Sequence, residues 1–216
     1  LMPWTITEQD RDRPSVEVIE RIRRRFPTER EVDDNLTRKM RRRAGPAFAG
    51  ASLDAMNGHV TALLRDHIEG DFSVSEQQWL SGGASKIQMA FTLDWDEPGV
   101  GRTRTRLVAR MEPAESLNST SRKREFELLK AFAGVIPVPR VYWVDPEGTW
   151  FPEPALIYAF ASGTTKPRAA LGKVAGIGTN FGAGLRERLK PQFVEHLASI
   201  HAFDSAQADF KAFDRP

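Results

Sequence analysis

The clearest candidate for chemistry in this sequence is a turn of small residues. Residues 80–86 read Leu-Ser-Gly-Gly-Ala-Ser-Lys, and an alternating segment begins at Ile87. Small side chains let backbone N–H groups approach a phosphate closely, and the Ser85 hydroxyl adds a donor. The same residues suit a tight β-turn that needs glycine at positive φ. Because the turn precedes a strand, whereas a Walker loop precedes a helix, the turn alone favours the simple β-turn.

Two charged residues downstream of this turn stand out in their local sequence. Arg110 is the single cation in the apolar run 107–111, and Glu125 follows fifteen residues later in a charged segment. A guanidinium can engage a carboxylate and phosphate oxygens together, and it stays charged. Considered singly, Arg110 reads as a strand-end surface residue and Glu125 as part of a solvated helix face.

A hairpin is predicted to position Arg110. The segment 87–95 places apolar residues at every second position, which is typical of a strand with one buried face, and 103–111 alternates in the same way. Turn-forming residues fill 96–101 between them. The pattern therefore predicts two antiparallel strands, with Arg110 near the end of the second.

The remaining elements complete an α+β fold with an antiparallel sheet. A helix is predicted over about 121–133, with Phe126, Leu129 and Phe132 on its buried side. Two extended runs, 138–144 and 155–160, follow it. Strands that pair as hairpins and a single intervening helix are typical of the α+β class.

The first 70 residues have helical periodicity. Apolar stripes recur over 16–26, 32–40 and 53–68, and Thr28 with Glu31 predicts a capping box. At the other end, 162–185 contains six glycines and no usable period, which predicts a long loop or linker. The last predicted helix carries Leu189, Phe193, Leu197 and Ile200.

Five stretches, in this order and spacing, resemble the protein-kinase-like phosphotransferases. The resemblance is to the aminoglycoside and choline kinase branch, including its relatives fused to acyl-CoA dehydrogenases, and it covers about 72–204. The matching stretches are Leu80-Ser-Gly-Gly-Ala-Ser85, Leu107-Val-Ala-Arg-Met-Glu-Pro113, Arg124-Glu-Phe-Glu-Leu-Leu129, Val135-Ile-Pro-Val-Pro-Arg-Val141 and Ala155-Leu-Ile-Tyr-Ala-Phe-Ala-Ser-Gly163.

The resemblance implies an ATP site in a kinase-like N-lobe. In that family a glycine loop covers the phosphates, a strand cation reaches them, and a helix glutamate pairs with the cation. By position Arg110 is the cation and Glu125 its partner, although protein kinases usually have Lys at the first place. The implied loop residues are Ser81, Gly82, Gly83, Ala84, Ser85 and Lys86.

The purine is expected at the end of the last strand. Tyr158 would guard the back of the adenine pocket, and Ala159, Phe160 and Ala161 would form the hinge whose backbone reads the purine edge. The implied organisation is a helical extension (1–70), a kinase-like N-lobe (71–161), and a hinge, glycine-rich linker and incomplete helical C-lobe (162–216).

The resemblance stops before the catalytic machinery. The sequence has no H-G-D-x-x-x-x-N loop and no following Asp for Mg²⁺, so the catalytic Asp and the metal ligands are expected outside this chain. The 216-residue chain alone is expected to be inactive. The full-length activity implied is phosphorylation of an alcohol group, with an aminoglycoside, choline-like, sugar or hydroxyacyl substrate all open. A non-catalytic kinase-like scaffold that binds a nucleotide or a partner is the alternative.

Composition favours a soluble cytoplasmic protein. The 216 residues carry 31 Lys and Arg against 29 Asp and Glu, and 40% are hydrophobic. Cysteine is absent, which excludes disulfides, thiolate nucleophiles and cysteine-ligated metals. No segment reaches the ~18 apolar residues of a membrane span, and no secretion signal is expected. The four histidines lack ligand spacing, so no metal site is predicted.

One basic segment leaves a different kind of partner open. Residues 20–43 contain ten basic and five acidic residues, an excess of +5. Such a segment could bind nucleic acid or an acidic partner. The acidic residues beside the cations at helical spacing favour a solvated, salt-bridged face instead.

Overall fold

The computed structural model describes residues 5–45, 51–80, 86–113, 120–163 and 182–214. In these ranges five strands form one antiparallel sheet in the order β1-β2-β3-β5-β4, and one helix connects the third strand to the fourth. The predicted α+β class with an antiparallel sheet is confirmed. The strands and the connecting helix are β1 (Ser73–Trp79), β2 (Ile87–Glu97), β3 (Gly101–Met111), α5 (Arg122–Ala131), β4 (Val141–Asp145) and β5 (Ala155–Ala159).

The predicted hairpin is the centre of the sheet. β2 and β3 pair without interruption from Ile87 opposite Met111 to Glu97 opposite Gly101, so both strands extend two residues beyond the predicted limits. Gly99 and Gly101 have φ of 77° and 94°, which explains why glycine occupies these turn positions. The hairpin fixes Arg110 opposite Gln88.

The core lies on one face of this sheet. Alternate residues of β2 and β3 point to that face, and they pack against the apolar side of a helix before β1. Truncating one such buried side chain to alanine would cost about 2–5 kcal/mol. The residues that build this core include Met56, Val60, Leu63, Leu64, Met89, Phe91, Leu93, Trp95, Leu107, Ala109, Met111 and Ile157.

The opposite face of the sheet carries the predicted site residues. Gln88 pairs with Arg110, and Tyr158 pairs with Val108 on the neighbouring strand. Because side chains alternate along a strand and paired residues share a face, Gln88, Arg110 and Tyr158 all lie opposite the core. The core helix therefore does not cover the candidate site.

Four helices precede the sheet; the periodicity of the first 70 residues predicts three of them, and the first, a five-residue helix, was not predicted. Their bounds are α1 (Glu8–Asp12), α2 (Val16–Arg25), α3 (Arg30–Arg43) and α4 (Leu53–His67). α4 is the helix that packs on the core face, with Ser52 as its N-cap. The prediction of a capping box at Thr28 is wrong. The N-cap of α3 is Glu29, whose carboxylate accepts hydrogen bonds from the N–H groups of Glu31 and Val32.

The two last predicted helices differ from expectation in burial. In α5 the most buried residue is the cation Arg122, whereas Phe126, Leu129 and Phe132 are only half-buried. α6 (Gly182–His201) begins inside the predicted loop, and a short 3-10 helix, Ser205–Gln207, follows it. The apolar side of α6 is largely exposed, including Phe193, Val194, Leu197 and Ile200.

Candidate functional site

The centre of the candidate site is an ion pair between β3 and α5. Nη1 of Arg110 donates a hydrogen bond to Oε1 of Glu125. Arg110 lies near the end of β3, and Glu125 lies in the first turn of α5, where the positive end of the helix dipole favours a carboxylate. Both side chains are half-buried. The cation and carboxylate singled out in the sequence are therefore in contact.

The ion pair is one end of a longer set of charged residues. Nη1 of Arg122 lies 2.5 Å from Oε2 of Glu125, and its Nη2 lies 2.9 Å from Oε1 of Glu112. Nζ of Lys86 contacts both Glu112 oxygens, at 2.6 and 2.5 Å. Cations and carboxylates thus alternate through the charge chain Lys86, Glu112, Arg122, Glu125 and Arg110.

Burial sets the electrostatics of this charge chain. The Arg122 side chain is 1% exposed, and burial lowers the pKa of its guanidinium against the opposing effect of Glu125 and Glu112. Burial also acts to raise the pKa of Glu112, but the hydrogen bonds from Lys86 and Thr120 and the positive charges of Arg122 and Lys86 together outweigh burial and leave that pKa below its ordinary value. Three cations and two carboxylates give the charge chain a net charge of +1.

Three guanidinium nitrogens in the charge chain have no hydrogen-bond acceptor within the described ranges. They are Nε of Arg110, Nε of Arg122 and Nη1 of Arg122, all inaccessible to solvent, and Nη1 of Arg122 contacts Glu125 as an ion pair. Buried donors usually find an acceptor, so each unmatched N–H is a position where an anionic oxygen would be stabilised.

A cavity of about 540 Å³ opens beside the charge chain, a size typical of small-molecule sites. Lys86, Arg110, Arg122 and Glu125 line its charged wall. Its other walls come from α3, α5 and a residue after the 3-10 helix, and their apolar contributors are Val32, Leu128, Leu129 and Phe213. Charged and apolar side chains therefore line the same cavity.

The predicted purine end of the site lies beyond this cavity, on β5 and the residues after it. The Tyr158 hydroxyl lies 3.3 Å from Oε1 of Gln88, and burial raises the pKa of this tyrosine. The N–H of Ala159 donates to the carbonyl of Arg140 at 2.8 Å, and the N–H of Phe160 donates to that of Arg106 at 2.9 Å. Two of the three predicted hinge N–H groups are therefore already used in backbone pairing.

The predicted phosphate loop is only partly described. Ser81, Gly82, Gly83, Ala84 and Ser85 lie outside the described residues. Lys86, the last residue of the predicted loop, is described, and its ammonium is bound by Glu112. The structure thus brings together Lys86, Arg110 and Glu125 and places 158–161 at the end of β5.

Two distant segments hold α5 in place, and we call them the α5 clamp. One is the start of α3, where Glu29 binds Arg124 and Glu31 accepts a hydrogen bond from Ser121 at 2.9 Å. The other is the segment 211–214. There the Ala212 carbonyl accepts a hydrogen bond from Arg124 at 2.9 Å, and the Ala212 N–H donates to Glu127 at 2.9 Å. The clamp fixes the helix that presents Glu125.

No pattern in the sequence marks Arg122 and Glu112 as part of the site. Arg122 is one of three consecutive basic residues at the start of a helix, a position typical of exposed cations. Glu112 follows the last residue of β3 and lies in the matching stretch 107–113, but the resemblance assigns it no role. A signal is present only in hindsight: Arg122 precedes Glu125 by three residues, which places both on one side of the helix.

Cations of the basic segment 20–43 form ion pairs with carboxylates. Arg23 contacts Glu20 and Asp33 at 2.8 and 2.6 Å, and Arg42 contacts Glu153 at 3.3 Å. Within the described ranges, no group of three or more acidic or histidine side chains is arranged to hold a metal ion. No helix in those ranges is both long and apolar enough to cross a membrane.

Comparison with known proteins gives a structural point of reference. No family model and no curated protein sequence matches the chain. Among solved structures, the chain is similar to a protein from Ralstonia eutropha JMP134 described as a "putative aminoglycoside phosphotransferase", with 19% identity and a TM-score of 0.47. The similarity covers 74% of this chain and 42% of that one, so the chain spans less than half of that protein's length.

Proposed function

We propose that this chain is the nucleotide-binding part of an ATP-dependent phosphotransferase that acts on an alcohol group of a small molecule. The observation that carries the proposal is the contact between Arg110 on β3 and Glu125 on α5. Kinases use a cation on the third strand and a glutamate on the next helix to hold the nucleotide phosphates. The same two element types meet here at the same step of the chain.

The charge chain supports an anionic ligand at Arg110. Its net charge is +1, and the Nε donor of Arg110, a residue that lines the cavity, lacks an acceptor in the described part of the chain. A polyphosphate supplies several anionic oxygens that could accept a hydrogen bond from this donor. Phosphoryl transfer depends on positioning and charge neutralisation, which is the work that preorganised cations perform.

Mg²⁺, which ATP-dependent transfer requires, is not provided for by the described residues. Glu112 and Glu125 are the carboxylates nearest to Arg110 in the charge chain, and both are bound by cations. We therefore derive no metal-dependent step from this chain. The metal ligands and the catalytic Asp remain a prediction for residues beyond it, and the chain alone is predicted not to transfer phosphate.

The test is ATP binding by the 216-residue chain. We expect ATP to raise its melting temperature and to bind measurably in calorimetry, because a ligand that binds only the folded state stabilises it. Arg110→Met should weaken ATP binding about tenfold or more, the value of a lost charge-assisted hydrogen bond.

The matched control is Arg102→Met, which removes the same charge from the other end of β3. Arg102 is exposed and contacts Asp94 at 2.5 Å. ATP affinity should be unchanged in this variant. No ATP binding by the wild-type chain, or equal binding by wild type and Arg110→Met, would show that the proposal is wrong.

A further inference from the structure

The carboxylate of Glu125 is divided between two guanidinium groups. One oxygen, Oε1, accepts from Arg110, and the other, Oε2, lies 2.5 Å from Nη1 of Arg122. An isolated arginine and carboxylate tend to form a bidentate pair through both oxygens. Because Arg122 holds the second oxygen, Arg110 has a single-point contact, and its Nε has no acceptor in the described ranges.

Arg122 is itself immobilised. Its side chain is 1% exposed, and Nη2 lies 2.9 Å from Glu112, a carboxylate that Lys86 and Thr120 also bind. A buried side chain with partners at both ends has few alternative rotamers. The position of Oε2 of Glu125 is therefore fixed by groups that do not touch Arg110.

Arg122 also gives the charge chain its net positive charge. With it, the charge chain holds three cations and two carboxylates. Without it, two cations would face two carboxylates, and the net charge would fall from +1 to zero. A polyanion would then lose the electrostatic attraction of the site while an uncharged ligand would not.

We infer that Arg122 is a positioning residue: by holding one oxygen of Glu125, it leaves Arg110 with donors and net positive charge for a polyphosphate. The inference rests on the proposed nucleotide site and names the residue that prepares it. Arg122 does not contact the nucleotide in this scheme. It acts through Glu125, on the orientation and the charge of Arg110.

The experiment compares ATP with adenosine, which lacks the phosphates. Arg122→Met should weaken ATP binding about tenfold, the value of a charge-assisted hydrogen bond, and leave adenosine binding within about twofold. Arg122→Lys should lie between wild type and Arg122→Met, because it keeps the charge but cannot bridge two carboxylates in the same way. Arg104→Met, an exposed β3 variant with the same charge change, should bind both ligands as wild type does.

Two results would overturn the inference. One is wild-type ATP affinity in a folded Arg122→Met chain. The other is an equal loss of ATP and adenosine binding, which a purely structural role would produce. If Arg122→Met does not fold, Arg122→Lys decides: a selective loss of ATP affinity of about threefold or more supports the inference, and unchanged ATP affinity overturns it.

A stability measurement separates this inference from the proposed function. If the wild-type chain binds no ATP, the proposed function fails, but sharing of Glu125 can still be measured by a double-mutant cycle of Arg110→Met with Arg122→Lys, or with Arg122→Met where it folds. If Arg110 and Arg122 share Glu125, the folding equilibrium constant of the double variant should fall further than the product of the two single-variant decreases, by about threefold or more. The reason is that both partners of Glu125 are then weakened. Additive effects would refute the sharing itself.

Discussion

Replacing Glu112 by glutamine tests the charge chain at its most connected point. The Glu112 side chain is 6% exposed and is bound by Lys86, Thr120 and Arg122. Glutamine keeps the shape but removes the charge, so two buried cations lose their shared anion. Removing one partner of a buried ion pair costs about 3–5 kcal/mol, and we expect Glu112→Gln to lower the free energy of unfolding by that amount near neutral pH.

The effect should depend on pH in one direction. The pKa of Glu112 in the folded chain lies below its ordinary value of 4.5, because burial, which raises this pKa, is outweighed by the hydrogen bonds from Lys86 and Thr120 together with the charges of Arg122 and Lys86. A depressed carboxyl pKa stabilises the fold above the unfolded-state pKa, and this stabilisation is lost as the pH falls through the folded-state pKa. The difference between wild type and Glu112→Gln should therefore be constant above about pH 5 and narrow at lower pH.

Urea unfolding followed by tryptophan fluorescence measures both effects, since the chain contains five tryptophans. The control is Glu8→Gln: that side chain is 85% exposed, and its contact with Arg11 should contribute within about 0.5 kcal/mol. A loss below about 1 kcal/mol for Glu112→Gln near neutral pH would refute the proposed energetics of the charge chain. A difference that widens as the pH falls would also refute them.

Two further predictions concern the parts of the sheet next to the site. Asp145 is fully buried and accepts hydrogen bonds from the N–H groups of Thr149, Trp150 and Phe151 at 2.7–2.9 Å. Asp145→Ala should therefore lower the free energy of unfolding, measured in urea, by about 3 kcal/mol. A loss within about 1 kcal/mol would contradict this prediction. Burial raises the pKa of both tyrosines, Tyr142 and Tyr158, above 10.0. In an ultraviolet titration of the folded chain the midpoints of both tyrosines should therefore lie above that value, and Tyr→Phe variants should assign the two steps. Because burial raises these two pKa values, the protonated tyrosines stabilise the folded chain fully below the unfolded-state pKa. This stabilisation is lost as the pH rises through the folded-state pKa.

The sequence predicted the strands whose apolar residues alternate. β2 and β3 alternate because one face packs on α4, and that alternation can be read residue by residue. β1 lies at the edge of the sheet and reads Ser-Val-Ser-Glu-Gln-Gln-Trp, with a bulge between Ser75 and Gln78. An edge strand with little burial has no alternation to detect, so its bounds could not be predicted.

The candidate site divides in the same way. The contact between Arg110 and Glu125 was predicted from a resemblance, since no local pattern relates residues on a strand and a helix fifteen positions apart. The burial of Arg122 could not be predicted from its sequence neighbourhood. It depends on Glu112, the residue after β3, and on the packing of α5, which are tertiary features. The roles of 81–86, 110, 125 and 158–161 in nucleotide binding remain predictions.

The α5 clamp has a consequence for how the chain is made on the ribosome. Arg124 binds Glu29, 95 positions earlier, and Glu127 binds the N–H of Ala212, 85 positions later. Synthesis proceeds from the N-terminus, and contacts between residues far apart in sequence form late. A nascent chain that has released all five strands can assemble the sheet, but α5 reaches its final position only after residue 212 emerges. The contact between α5 and Arg110 is thus completed well after the hairpin that carries Arg110.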